Sequence, residues 1–229
     1  MTVNADIRPL TRTDIAARIA RDIEEGWCVN LGIGIPTLIA NALPRDREII
    51  LHSENGILGM GPAPSEADID PWLVNAGKEF VTMLQGGAFI SQSDSFMVVR
   101  GGHLDLCVLG AFEVAANGDI ANWTTSIASS APAVGGAMDL AAGAKRIWVA
   151  MEHLTRKGAS RLVEACTMPL TAAGVVSRIY TSHAVLEPRG DRFQVVESLP
   201  GLRCDALQAM TAAPLVFGEA WRGAAYGTR

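Results

Sequence analysis

One carboxylate stands apart from every other charge around it. Across residues 49–65 the sequence holds no Asp, Lys or Arg, and Glu54 is the only acidic side chain. It follows an apolar run at 49–52 and sits in Ser53-Glu54-Asn55-Gly56, where Asn-Gly demands a turn. Open α/β sheets bind ligands just beyond the carboxyl ends of their strands. A carboxylate kept there without a counter-charge is desolvated, which raises both its pKa and its reactivity toward a carbonyl. Position alone leaves a second reading open, an inert glutamate at the tip of a surface turn.

Other chemistries find weaker footholds. Gly32-Ile33-Gly34 could cradle an anion on backbone N–H groups at a helix start. Thr37 stands where a dinucleotide fingerprint needs its third glycine, and Glu48 precedes its strand instead of ending one, so a nicotinamide site is not supported. His52, His103, His153 and His183 share no metal-ligand spacing, and no metal site is expected. His103 follows Gly101-Gly102 and is expected to be a hydrogen-bonded structural histidine. Serine hydrolysis lacks its GxSxG elbow.

The elements that must position Glu54 are readable. Thr11 with Asp14, then Ile15, Ile19 and Ile23, closed by Gly26, predict a capped amphipathic helix. A strand at 27–31 leads into the glycine loop and a second helical stretch through about Ala42. Further strand-like runs lie at 49–52, 96–99, 104–109, 146–151 and 175–180. The run 185–196, broken at Pro188-Arg189-Gly190-Asp191, reads as a hairpin. Alternating strands and helices predict an α/β fold, an open, mostly parallel sheet with helices on both faces. No linker or repeat divides the chain, so residues 1–229 are expected to form a single domain.

Bulk properties narrow the partners. With 49% hydrophobic and 19% charged residues, the chain has the composition of a folded interior, not of a disordered segment. Net charge is −5 and the basic residues are scattered, so no nucleic-acid or acidic-lipid partner is expected. Cys28, Cys107, Cys166 and Cys204 form no CxxC pair and fit free thiols in a reducing cytoplasm. Asp6, Arg8, Arg12 and Asp14 leave no secretory apolar segment at the start. The uncharged stretch 120–138 is too rich in Ser, Thr, Asn, Gly and Pro for a membrane span, and reads as loop and buried turn or as a surface for association.

Several blocks, in one order, resemble the B subunit of family I 3-oxoacid coenzyme A transferases. They include Asn30-Leu31-Gly32-Ile33-Gly34-Ile35-Pro36, Ser53-Glu54-Asn55-Gly56-Ile57-Leu58-Gly59 and Asn75-Ala76-Gly77-Lys78. Arg100-Gly101-Gly102-His103, Gly118-Asp119-Ile120-Ala121-Asn122-Trp123, Gly135-Gly136-Ala137-Met138-Asp139 and Met151-Glu152-His153 continue the series. The resemblance implies that Glu54 attacks the thioester of a donor acyl-CoA and carries CoA as a glutamyl thioester before passing it to a 3-oxoacid. It implies backbone N–H donors at Asn30 and Gly135, with Gly34 and Gly136 as alternatives because Ala133-Val134 loosen the alignment there. Gly32, Gly34, Asn55, Gly56 and Gly136 would line the substrate and CoA site. Coenzyme A would be a substrate, with no cofactor needed, and a separate A subunit would complete a complex of two A and two B chains. Arg100 and Lys78 are the basic residues nearest these blocks and candidates to meet an acidic acceptor, or to form structural ion pairs. A thioester hydrolase and a non-catalytic metabolite sensor on a related scaffold are the alternatives.

Overall fold

In the computed structural model, which describes residues 7–125, 134–218 and 221, the chain is built on one ten-stranded sheet. It opens with helix α1 (Arg12–Asp22), where Thr11 and Asp14 cap reciprocally: the Asp14 N–H donates to Thr11 Oγ1, and the Thr11 N–H to the Asp14 carboxylate. Strand β1 (Cys28–Leu31) runs into the glycine loop and a 3-10 helix (Ile35–Asn41) with Pro36 in its first turn. Next come β2 (Ile50–Ser53), β3 (Ile57–Met60), β4 (Met83–Phe89), helix α2 (Gln92–Arg100) and β5 (Leu106–Leu109). Short strands β6 (Glu113–Ala115) and β7 (Ile120–Ala121) precede helix α3 (Ala137–Gly143), β8 (Ile147–Met151) and β9 (Leu162–Val163). Strands β10 (Val176–Thr181), β11 (Ala184–Pro188) and β12 (Phe193–Ser198), helix α4 (Cys204–Ala209) and β13 (Leu215–Phe217) complete the order.

The sheet order is β13-β12-β11-β10-β8-β5-β1-β2-β3-β4. Its five central strands, β10, β8, β5, β1 and β2, are parallel, and antiparallel hairpins extend it on both sides. A smaller sheet, β7-β6-β9, sits beside it. The central strands are buried on both faces, and their side chains alternate between two cores. Leu106, Val108, Trp148 and Ala150 face the core that holds Ile15, Ile19 and Ile23. Cys107, Leu109, Ile147, Val149 and Met151 face the other, with Val99 of α2, Leu140 of α3 and Leu207 of α4. Each fully buried isoleucine of α1 contributes about 1.5–3 kcal/mol, so this helix is held by packing more than by propensity.

Two expectations fail. The run 96–99 is not a strand: Ser91 accepts the Asp94 N–H, and Ser95 and Val99, four apart, are the buried residues of helix α2. A four-residue apolar run carries no period of its own, and the cap decides its type. His103 is exposed, and its ring has no hydrogen-bond partner among the described residues, because it lies just past the end of α2. Of the stretch 120–138, the ends form β7 and the start of α3, while 126–133 lies outside the described residues. All four cysteines are free; Cys107 is buried and the others half-buried.

Candidate active site

The chain switches direction at β1: it continues to β2 on one side and returns through α2 to β5 on the other. Loops leaving the carboxyl ends of such strands diverge and leave a crevice. A cavity of about 570 Å³ lies there, the size of a small-ligand site. Its wall takes Gly32–Ile33–Gly34 from the end of β1, Glu54 from β2, Gly110–Ala111–Phe112 from β5 and Glu152 from β8. Gly135 and Gly136 close it from the start of α3.

Glu54 sits in the tight β2–β3 turn, closed by the Gly56 N–H donating to the Ser53 carbonyl at 2.9 Å. Gly56 has φ of 108°, and a Cβ there would fall 2.2 Å from the Ile90 carbonyl oxygen, so only glycine permits this turn. The Glu54 side chain is half-buried and has no cation within ion-pair distance among the described residues. Burial, and then the negative charge of Asp139, raise its pKa above the usual carboxylate value. Gly136 lies against it: a Cβ at Gly136 would stand 2.4 Å from Glu54 Oε2 and 2.8 Å from Phe96 Cζ. The absence of a side chain at Gly136 is therefore what lets the carboxylate occupy its place.

Behind Glu54 runs a buried polar relay. The Asn30 side-chain nitrogen faces the His52 carbonyl at 3.2 Å, which can only accept, so this nitrogen also donates to His52 Nδ1 at 3.0 Å. His52 then carries its proton on Nε2 and donates to Ser95 Oγ at 2.8 Å, and the Ser95 hydroxyl reaches the Ser53 carbonyl at 3.5 Å. Cys107 Sγ donates to Asn30 Oδ1. Asn30, His52, Ser53 and Ser95 are all buried, and burial holds His52 neutral, pushed down to about 4. The relay links β1, β2 and α2 and ends on the peptide that precedes Glu54.

The structure brings Glu54, Asn30, Gly32, Gly34, Gly135 and Gly136 to one cavity. It does not bring Asn55 or Gly56 to the wall: Asn55 is exposed and donates to the Val74 carbonyl at 2.8 Å, and both residues shape the turn. Nor does it bring Arg100 or Lys78. Arg100 pairs with Asp139 at 2.8 Å, and Lys78 is exposed at a turn with φ of 64°. Asn30 is flanked by His52 of β2 and Cys107 of β5, so its peptide belongs to the sheet ladder. The peptide N–H groups of Ile33, Gly34, Gly135 and Gly136 have no acceptor among the described residues, and all four residues line the cavity. Sequence reasoning missed Arg12, Glu152 and Arg161 on this wall. Glu152 at a strand end was the one with a readable signal.

A half-buried carboxylate that, among the described residues, has no counter-charge and stands beside amides without acceptors suits covalent acyl chemistry at a carbonyl. Similar proteins decide the family. The family model described as coenzyme A transferase matches residues 12–209. This chain belongs to the coenzyme A transferase family.

Within it, the chain is 55% identical over 209 residues to the B subunit of the 3-oxoadipate CoA-transferase of Pseudomonas putida, covering 91% of this chain and 98% of that one. It is 44% identical over 202 residues to the B subunit of the succinyl-CoA:3-ketoacid coenzyme A transferase of Helicobacter pylori, covering 88% and 97%. Among solved structures, an acyl-CoA transferase of Escherichia coli O157:H7 in a thioester complex with CoA superposes with a TM-score of 0.68 at 19% identity. That match covers 96% of this chain and 43% of the other, and shows a shared fold. Among the described residues no helix is long and apolar enough to cross a membrane.

Proposed function

We propose that this chain is the B subunit of a cytoplasmic 3-oxoacid coenzyme A transferase, with Glu54 as its covalent nucleophile. Succinyl-CoA is the donor we favour, and a 3-oxoacid such as 3-oxoadipate or acetoacetate the acceptor. The observation that carries this reading is the Glu54 carboxylate: half-buried, raised in pKa, without a counter-charge, and laid against Gly136 in the switch-point cavity.

Each step balances on this residue alone. Glu54 attacks the thioester carbonyl, the C–S bond breaks, and an acyl-glutamyl anhydride and CoA thiolate form. The thiolate attacks the glutamyl carbonyl and expels the donor acid as its carboxylate, leaving a glutamyl-CoA thioester. The acceptor carboxylate runs both steps in reverse and leaves as the new CoA ester. No proton or electron is left over, so coenzyme A enters as substrate and no cofactor or metal is called for. Each attack places negative charge on a carbonyl oxygen. Asn30 and Gly135 are the donors suggested by family resemblance. Among the described residues the amides of Gly34, Gly135 and Gly136 meet no acceptor while the Asn30 peptide lies in the sheet ladder, so we favour the glycine amides as the groups that meet the oxygen.

A partner is part of the reading, since the similar bacterial chains are named as B subunits. Ile33, 72% exposed on the cavity wall, is an apolar rim that an A subunit would cover and so keep water from the thioester. Two A and two B chains is the assembly we propose. The test is to incubate the complex with succinyl-CoA or acetoacetyl-CoA, digest it, and measure peptide masses. A CoA adduct on the Glu54 peptide is expected, with loss of adduct and of transfer in Glu54→Gln. No adduct, or an active Glu54→Gln enzyme, sinks the mechanism; release of free acid and CoA without an acceptor would show hydrolysis instead.

A further inference from the structure

The cavity holds a second charge that the transfer chemistry leaves unused. Arg161 lies on the wall it shares with Glu54, in the segment leading into β9. Its backbone is fixed at both ends, the N–H donating to the His153 carbonyl at 3.1 Å and the carbonyl accepting from Val114 N–H at 2.9 Å. Its side chain is far less satisfied. Nη1 donates to the Ala111 carbonyl at 3.0 Å, whereas Nε is buried and has no acceptor among the described residues. A guanidinium carries five N–H donors in a planar fork, so most of this one is unassigned. Buried orphan donors are rare and cost about 1–3 kcal/mol each, which makes an unfilled partner the natural explanation.

Neighbouring charges do not supply that partner. Glu152, also on the wall, is held by Arg12 at 3.3 Å. The Glu113 carboxylate, at the start of β6, takes the N–H groups of Thr167 and Met168 and the Thr167 hydroxyl. No carboxylate lies within ion-pair distance of Arg161 among the described residues, whereas Arg100, the basic residue nearest a sequence block, is already paired. Of the four charged groups that line this wall among the described residues, Arg12 and Glu152 cancel. What remains is a nucleophilic carboxylate and an unpaired guanidinium in one small cavity.

We propose that Arg161 binds the distal carboxylate of a dicarboxylic 3-oxoacid while the acid's other carboxylate reacts at Glu54, so that the cavity favours acceptors with two carboxylates. This rests on the transferase reading above. A planar fork meeting a carboxylate side-on makes two parallel charge-assisted hydrogen bonds, and it would satisfy the donors that the fold leaves open. An acceptor lacking the second carboxylate would leave them as they are now.

Transfer through a covalent intermediate is ping-pong, so kcat/KM for the acceptor reports the second half-reaction alone. The complex of both subunits, wild type, Arg161→Gln and Arg161→Lys, is assayed with a dicarboxylic and a monocarboxylic 3-oxoacid. Arg161→Gln should lower kcat/KM for the dicarboxylic acid on the order of tenfold to a hundredfold and leave the monocarboxylic acid unchanged. Arg161→Lys should recover part of the loss, as a point charge without the fork. An equal fall for both acceptors would mark Arg161 as structural, and no fall for either would place the recognition elsewhere; each result overturns the assignment. Calorimetric binding of adipate to the same complexes gives a readout independent of catalysis, with binding expected to weaken only in the variants. If wild type forms no adduct on Glu54, the transferase reading fails, and the adipate comparison still decides whether Arg161 holds a carboxylate.

Discussion

His52 and His153 are the same device in two places. Each is fully buried, each bonds through both ring nitrogens, and each is kept neutral by burial, pushed down to about 4 and about 3. Thr181 Oγ1 accepts the N–H groups of His183 and Ala184 and lies 2.9 Å from His153 Nδ1, while its one proton also faces the Ala184 carbonyl at 3.0 Å. The Thr211 hydroxyl donates to the Leu207 carbonyl and its oxygen lies 3.0 Å from His153 Nε2. Both rings bridge two polar neighbours, and the Asn30 amide fixes the tautomer of His52. Only the destination differs: one relay ends on the peptide before Glu54, the other on helix α4. Burial and a displaced pKa therefore do not mark a functional histidine in this chain; what stands at the end of the relay does.

The largest effect should be one the two share. An unfolded histidine binds a proton near pH 6.5, whereas His52 and His153 resist it down to about 4 and about 3. Between those values the unfolded state holds more protons, so stability rises with pH and is lost as pH falls from 6.5. The loss approaches about 3 kcal/mol for His52 by pH 4, and His153 adds a similar amount. Denaturant midpoints measured from pH 7 to pH 4 should fall steeply, and His52→Gln and His153→Gln should each flatten the slope. A slope unchanged in both variants would mean that neither ring resists protonation.

Activity should separate what stability does not. His52→Gln shifts the peptide that carries Glu54, and small displacements of the proposed nucleophile would be costly, so kcat should drop by about tenfold or more with KM little changed. His153→Gln should leave kcat of the folded complex unchanged while lowering its unfolding midpoint. Equal losses of kcat would erase the distinction between the two relays.

This contrast also shows what the sequence could and could not disclose. The α1 cap, the central strands and the turn at Asn55-Gly56 were legible because each depends on residues a few positions apart. Glu54 stood out because a strand end and a local lack of charge are both sequence features, but position alone left an inert turn glutamate open, and its expected role came from the family resemblance. The edge strand β4, residues Met83–Phe89, was not: it is exposed for most of its length and shows no alternation. Helix α2 was misread because Phe96-Met97-Val98-Val99 is apolar in either period. The His52 relay was out of reach because its meaning comes from Asn30 and Ser95, brought to it by another strand and a helix. Arg161 was out of reach for the same reason. A guanidinium is unpaired only with respect to neighbours, and Arg161 gains its neighbours by folding.

The smallest effect tests the last link of each relay. Ser95 accepts from His52 at 2.8 Å but reaches the Ser53 carbonyl only at 3.5 Å, a weak bond. Ser95→Ala removes the acceptor and leaves the His52 Nε2–H orphaned in a buried site, at about 1–3 kcal/mol of stability. Its influence on Glu54 passes through the weak bond alone, so kcat should fall only a few-fold, by less than in His52→Gln. Thr211→Val is the matched cut in the other relay, and it should lower stability by a comparable amount with no change in kcat. The pair is informative because folding cost is held roughly constant while the route to the carboxylate is present in one and missing in the other. If Ser95→Ala matched Thr211→Val in both readouts, Glu54 would owe its position to the turn glycine and Gly136 alone, and the relay behind it would be structural.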